Sequence, residues 1–184
     1  MTKGIIFDIE GTIGDIAFVR NVLFPYARKR LQAFLEAQWN APEIRDIVQA
    51  AREASGKALP SIGAAVDQFA SWIDEDKKIT PLKTLQGLIW REGYETGELK
   101  AHLYEDAVQA MRAYASARKR LFIYSSGSIA AQKLYMAYSI AGDLSSMIEG
   151  YFDTTTGPKG DAASYVAIAR SVDLQPGDIV FYSD

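Results

Sequence analysis

Four short apolar runs punctuate the chain: GIIFD at 4–8, RLFIYSS at 120–126, GYFDT at 150–154 and DIVFYSD at 178–184. Their Ile, Phe, Tyr and Val positions are not interleaved with polar ones, so each reads as a short strand covered on both faces. SIAAQKLYMAYSIAG (128–142) follows the second run and GDAASYVAIARSV (160–172) the third, both with apolar residues at helical spacing. Strands alternating with helices predict βαβ units and a parallel, Rossmann-like α/β sheet.

The spacing of the runs is uneven. Ser125 and Lys159 are 34 residues apart and Lys159 and Asp184 are 25 apart, each close to the roughly 30 residues of one βα unit. Asp8 and Ser125 are 117 residues apart. A crossover helix over YEDAVQAMRAYASA (104–117) accounts for part of that interval. The rest carries four more helical patterns, at 18–38, 42–55, 61–76 and 81–94, with Pro25 the one awkward position in the first. The expected organisation is an α/β core built from 1–14 and 101–184, with an all-helical cap at 15–100 inserted between the first and second core strands. Phe69, Trp72, Trp90 and Tyr94 are expected to fill the core of that cap.

Composition narrows the function. With 48% apolar residues, the 184-residue chain can bury a core, as one domain or as a domain with a modest insertion. A net charge of −3 gives no electrostatic footprint for nucleic acid. The absence of cysteine excludes disulfides and thiolate metal ligands. The N-terminus enters a strand pattern without signal-peptide features, and no apolar stretch approaches the roughly 20 residues of a membrane span. A soluble cytoplasmic protein is expected. His102, the one histidine, has no Cys or His partner and is expected to be structural or solvent-exposed.

Ligands of open α/β sheets collect at the carboxyl ends of the strands. Asp8 with Glu10, Ser125 with Ser126, Lys159 and Asp184 all fall at or just beyond such ends. Singly, each has a plain explanation: DIEG as a turn with solvated acids, SSGS as a strand-to-helix loop capped by Ser128, a surface lysine, a strand-end aspartate. Together they suit one phosphate ester. An aspartate can attack phosphorus in line, and Asp8 and Asp184 are suitable ligands for Mg2+. Glu10 can donate a proton to the leaving oxygen and later activate water. Lys159 offers positive charge to phosphoryl oxygens. Ser125 can hydrogen-bond the same group, where Gly127 admits close backbone approach.

This ordered set resembles the haloacid dehalogenase superfamily: FDIEGT matches its first motif, IYSSGS its second, Lys159 its third and FYSD the opening of its fourth. Glu10 stands where the second acid is usually Asp, a departure shared by one branch. FVRNVLFPYARKRL, PLKTLQGLIWREGYETGELKAHLYED, IYSSGSIAAQKL, GDLSSMIEGYFDTTTGPK and SYVAIA look like the enolase-phosphatase family of methionine salvage, across core and cap alike.

The resemblance implies conversion of 2,3-diketo-5-methylthiopentyl 1-phosphate to an acireductone, by enolisation and then dephosphorylation through an aspartyl phosphate. It implies Asp8 as nucleophile and Mg2+ ligand, and Glu10 as acid/base and, through its backbone carbonyl, metal ligand. It places Asp184 on the metal, and Ser125, Ser126 and Lys159 on the phosphate. It also implies a monomer, and a further acid, helix and strand beyond Asp184, so that the core is incomplete at its C-terminus. Two other readings stay open: another Mg2+-dependent small-metabolite phosphatase of the superfamily, against which the cap blocks speak, and a truncated, non-catalytic form. A receiver-like module fits poorly, because a long cap would shield a phosphoaspartate from partners. A metal-independent dehalogenase would leave Glu10 without a role.

Overall fold

The computed structural model describes residues 2–184. Four parallel strands, β1 (Gly4–Phe7), β2 (Arg120–Tyr124), β3 (Ile148–Phe152) and β4 (Ile179–Tyr182), form one sheet in the order β3-β2-β1-β4. In register, Phe7 of β1 lies beside Ile123 of β2 on one side and Tyr182 of β4 on the other. The chain moves from β1 outward to β3, then returns to the far side of β1, so the topological switch point lies between β1 and β4. All four residues of the central β1 are buried. That is why its sequence is apolar on both faces.

The chain divides into two compact units: the α/β unit, comprising the N-terminal residues to Val19 together with Gly97–Asp184, and a helical unit, Arg20–Thr96. Between β1 and β2 the helices are α1 (Ile16–Phe18), α2 (Phe24–Gln38), α3 (Pro42–Ser55), α4 (Ile62–Asp74), α5 (Thr80–Glu95) and α6 (Glu105–Ser116); α7 (Ile129–Ala137) and α8 (Ala162–Ser171) follow β2 and β3. In the helical unit α2, α3 and α5 each carry a proline in the first turn, where its missing N–H costs nothing. The Ser61 hydroxyl caps α4 by accepting the Ala64 N–H at 3.3 Å.

Pro25 accounts for a difference from expectation. The sequence pattern predicts one helix over 18–38, but Pro25 offers no N–H to the Asn21 carbonyl. The chain widens into a π-type turn at Val19–Leu23, and α2 restarts with Pro25 in its first turn. Trp90 Nε1 donates to the Leu23 carbonyl at 2.8 Å at that junction.

Two later elements are also shifted. β3 occupies 148–152 rather than 150–154, because Asp153 leaves the ladder to accept the Thr155 N–H at 2.9 Å. Helix α7 ends at Ala137 rather than near 142. The carbonyl of Tyr138 is taken by the Ala101 N–H at 2.9 Å, and Gly142 turns the chain with φ +91°.

In α2 the buried side chains Ala27, Leu31, Phe34 and Leu35 fall at the spacing of a single helical stripe. They meet Ile44, Ile47 and Val48 of α3, Phe69 and Trp72 of α4, and Leu82, Leu85 and Ile89 of α5 in one apolar cluster, with Trp90 half-buried against it. Phe69 is fully enclosed, edge-on to Trp72 at 5.5 Å. Truncation to Phe69→Ala is expected to destabilise the helical unit by about 3–5 kcal/mol through lost burial and a residual cavity. Denaturant unfolding followed by circular dichroism measures this.

Candidate active site

β1 delivers Asp8 to the switch point, where the Asp8 N–H still bonds the Tyr182 carbonyl of β4 at 2.9 Å. The residue is 5% exposed. A carboxylate so enclosed needs donors. Oδ1 accepts the Ile9 N–H at 2.7 Å; Oδ2 accepts the Ser183 hydroxyl at 3.1 Å and the Lys159 ammonium. The lysine is about one-third exposed, so the pair has one sheltered and one accessible partner.

The turn after Asp8 is tightly wound. The Ile9 carbonyl receives the N–H groups of Thr12, Ile13 and Gly14 at 3.2, 3.1 and 2.9 Å. The half-buried Glu10 is bridged through its backbone to Gly14. Gly11 has φ +79°, and a Cβ there would lie 2.7 Å from Asp184 Oδ2. The bare glycine leaves room for the Asp184 carboxylate beside the turn, and the Asp184 N–H donates to Thr12 Oγ1 at 3.1 Å. The glycine after the two acids thus brings the end of β4 against the end of β1.

On the neighbouring strand, Ser125 is buried just past β2 and its Oγ accepts the Gly127 N–H at 3.3 Å. Ser126 is exposed on the same loop. Among the described residues neither serine is hydrogen-bonded to Asp8 or Lys159; the sheet sets them on the adjacent strand end. Ser128 caps α7 through the Ala131 N–H.

Several residues at this edge were not singled out from sequence. Thr12 belongs to FDIEGT and Ser183 to FYSD, but their contacts require the β1–β4 pairing. Gln132 of α7 is 1% exposed, and its Nε2 donates to the carbonyls of Gly127 and Phe152 at 2.7 and 2.8 Å and more weakly to Ser125 at 3.3 Å. It ties the β2 loop to the end of β3. Asp153 ties the same two segments, accepting the Ile129 N–H at 3.3 Å. The one available signal was a glutamine on the inward side of an otherwise apolar helix face.

His102 does local work: its Nδ1 accepts the Asp15 N–H at 3.3 Å and its carbonyl accepts the Tyr135 hydroxyl. Among the described residues no three acidic, His or Cys side chains gather as a metal cluster. A cation held by Asp8 and Asp184 would therefore complete its shell with a carbonyl and waters. That all-oxygen donor set, with at most two carboxylates, is the one Mg2+ uses. Gly11 lets the Asp184 carboxylate, one of those two, sit against the turn that follows Asp8.

Replacement by Gln132→Met, which keeps length and apolar volume but removes the donor, is expected to cost about 1–3 kcal/mol by leaving buried carbonyls unpaired. Chemical denaturation quantifies the loss.

A sequence model of haloacid dehalogenase-like hydrolases matches residues 2–184. The chain is 48% identical over 184 residues to enolase-phosphatase E1 of Aquifex aeolicus, covering all of this chain and 82% of that protein. It is 49% identical to enolase-phosphatase E1 of Alcanivorax borkumensis, covering 81% of that protein. The crystal structure of the UTR4 protein of Saccharomyces cerevisiae superposes with a TM-score of 0.81 at 32% identity, over 98% of this chain and 80% of that one. The chain belongs to the haloacid dehalogenase-like hydrolases and, within them, to the enolase-phosphatase E1 family.

Proposed function

We propose that Asp8, Glu10, Ser125, Ser126, Lys159 and Asp184 form the active site of an enolase-phosphatase acting on 2,3-diketo-5-methylthiopentyl 1-phosphate. The observation that carries this reading is the Lys159–Asp8 contact: a cation from a loop 151 residues away in sequence meets a buried strand-end carboxylate. A phosphoryl group entering there would meet a nucleophile and its countercharge together. In this reading the helical unit is the cap domain of the enzyme.

Asp8 attacks phosphorus, forming an acyl phosphate as the bond from phosphorus to the substrate oxygen breaks. The Glu10 carboxyl gives its proton to the departing oxygen, then takes one from the water that attacks the aspartyl phosphate. Phosphate leaves and the Asp8 carboxylate is restored. Lys159 and the Ser125 and Ser126 hydroxyls hold the phosphoryl oxygens, where fixed donors favour the charge of the transition state. In the preceding enolisation the Glu10 carboxylate takes the carbon-bound proton as the electron pair of that bond moves onto the adjacent carbonyl oxygen. The resulting carboxyl is the one that then protonates the departing oxygen. The carboxylates of Asp8 and Asp184 with the Glu10 carbonyl would hold Mg2+, whose chemistry when bound is to neutralise the anions that meet here and to polarise the substrate's oxygens. Among the described residues no helix is long and apolar enough to cross a membrane.

The test presents the 1-phosphorylated diketone with Mg2+ and follows enediol absorbance and free phosphate in one reaction. Both signals are expected, and chelation of the metal abolishes phosphate release. Asp8→Asn lowers phosphate release by about 10³-fold or more. Phosphate without enediol would replace this reading with a simple phosphatase. Glu10→Gln is expected to slow both steps by about 10²–10⁴-fold; unchanged enolisation in that variant would remove Glu10 from the first step.

A further inference from the structure

The loop that carries Lys159 is held in an unusual way. Three consecutive carbonyls each accept a different side-chain hydroxyl: Gly157 from Tyr124 at 2.8 Å, Pro158 from Ser164 at 2.8 Å, and Lys159 from Tyr165 at 2.6 Å. Tyr124 ends β2 and is 1% exposed; Ser164 and Tyr165 lie in the first turn of α8, and Ser164 is buried. The fit is close. Gly157 has φ +141°, and a Cβ there would come within 2.2 Å of Ser164 Oγ.

The tyrosine rings are themselves fixed. Tyr124 and Tyr165 meet edge to face at 5.9 Å, and each packs on Phe181 of β4, at 5.9 and 5.5 Å. Burial, and then the nearness of Tyr124 and Asp8, push the Tyr165 hydroxyl above its ordinary value, so it stays a donor across the neutral range.

A lysine is a point charge on a flexible four-carbon stem, so its side chain alone does not place its ammonium. Placement has to come from the backbone it grows from. Misplacement of a reacting group by about 1 Å can cost about 10²-fold in rate.

We propose that Tyr124, Ser164 and Tyr165 are positioning residues which, by anchoring three successive carbonyls, set Lys159 against Asp8 and the phosphoryl group. The proposal rests on the phosphate-binding part assigned to Lys159 above.

The experiment compares wild type, Tyr124→Phe, Tyr165→Phe, Ser164→Ala and Lys159→Met, with each hydroxyl variant also built on Lys159→Met. Residual rates are read at raised enzyme concentration. The two Phe substitutions remove one oxygen and keep the ring packing, so they are expected to fold, with melting temperatures within about 4 °C of wild type. On the native lysine, each is expected to lower kcat for phosphate release by about 10- to 100-fold, with a smaller change in KM. On Lys159→Met, neither is expected to change the remaining rate.

Wild-type rates in both tyrosine variants, or equal losses with and without the lysine, would overturn the proposal while leaving Lys159 in its assigned place. Full activity in Lys159→Met would overturn the assigned place itself, and the proposal with it.

Discussion

The site depends on one electrostatic constraint: a carboxylate at the buried end of a central strand must be surrounded by donors. Asp8 meets it with a backbone N–H, a serine hydroxyl and a lysine, drawn from β1, from the segment after β4 and from the loop before α8. Three distant parts of the chain are thereby committed to one point. Breaking the ion pair would leave a charge with little access to water, which is far costlier than losing a surface pair.

The loops at this sheet edge owe their shape to side chains that bind backbone carbonyls. Gln132 holds the carbonyls beyond β2 and at the end of β3, and three hydroxyls hold those before α8. A loop has no ladder partner for its carbonyls, and burying them unpaired would cost free energy. The same bonds that satisfy the backbone also restrict the path of the loops that carry Ser125 and Lys159, so local stability and the geometry of the proposed site are coupled.

Membership of the enolase-phosphatase E1 family agrees with the motif order read from the sequence, and the match covers the helical insertion as well as the core. The insertion is held together as a unit of its own by helical stripes in α2 to α5, with prolines where helices begin.

By itself the sequence determined the α/β class, the helical insertion, the acids at the end of β1, and the candidacy of Lys159 and Asp184. These follow from local pattern: apolar runs, helical periodicity, and polar residues at run ends. The split of the 18–38 helix was half-visible in Pro25, whose missing N–H has a local effect, but the π-type turn that absorbs it was not. Only the tertiary structure decided that Lys159 and Ser183 both meet Asp8, that Gly11 makes room for Asp184, and that Gln132 and the hydroxyls of Tyr124, Ser164 and Tyr165 serve the loops. The shorter-range bonds of Gln132 and the three hydroxyls depend on how the loops beyond β2 and β3 fold back on the helices. The contacts of Asp8 with Lys159 and Ser183, and of Gly11 with Asp184, arise from strand order and register, which bring residues more than a hundred positions apart together. No spacing rule along the chain encodes that proximity.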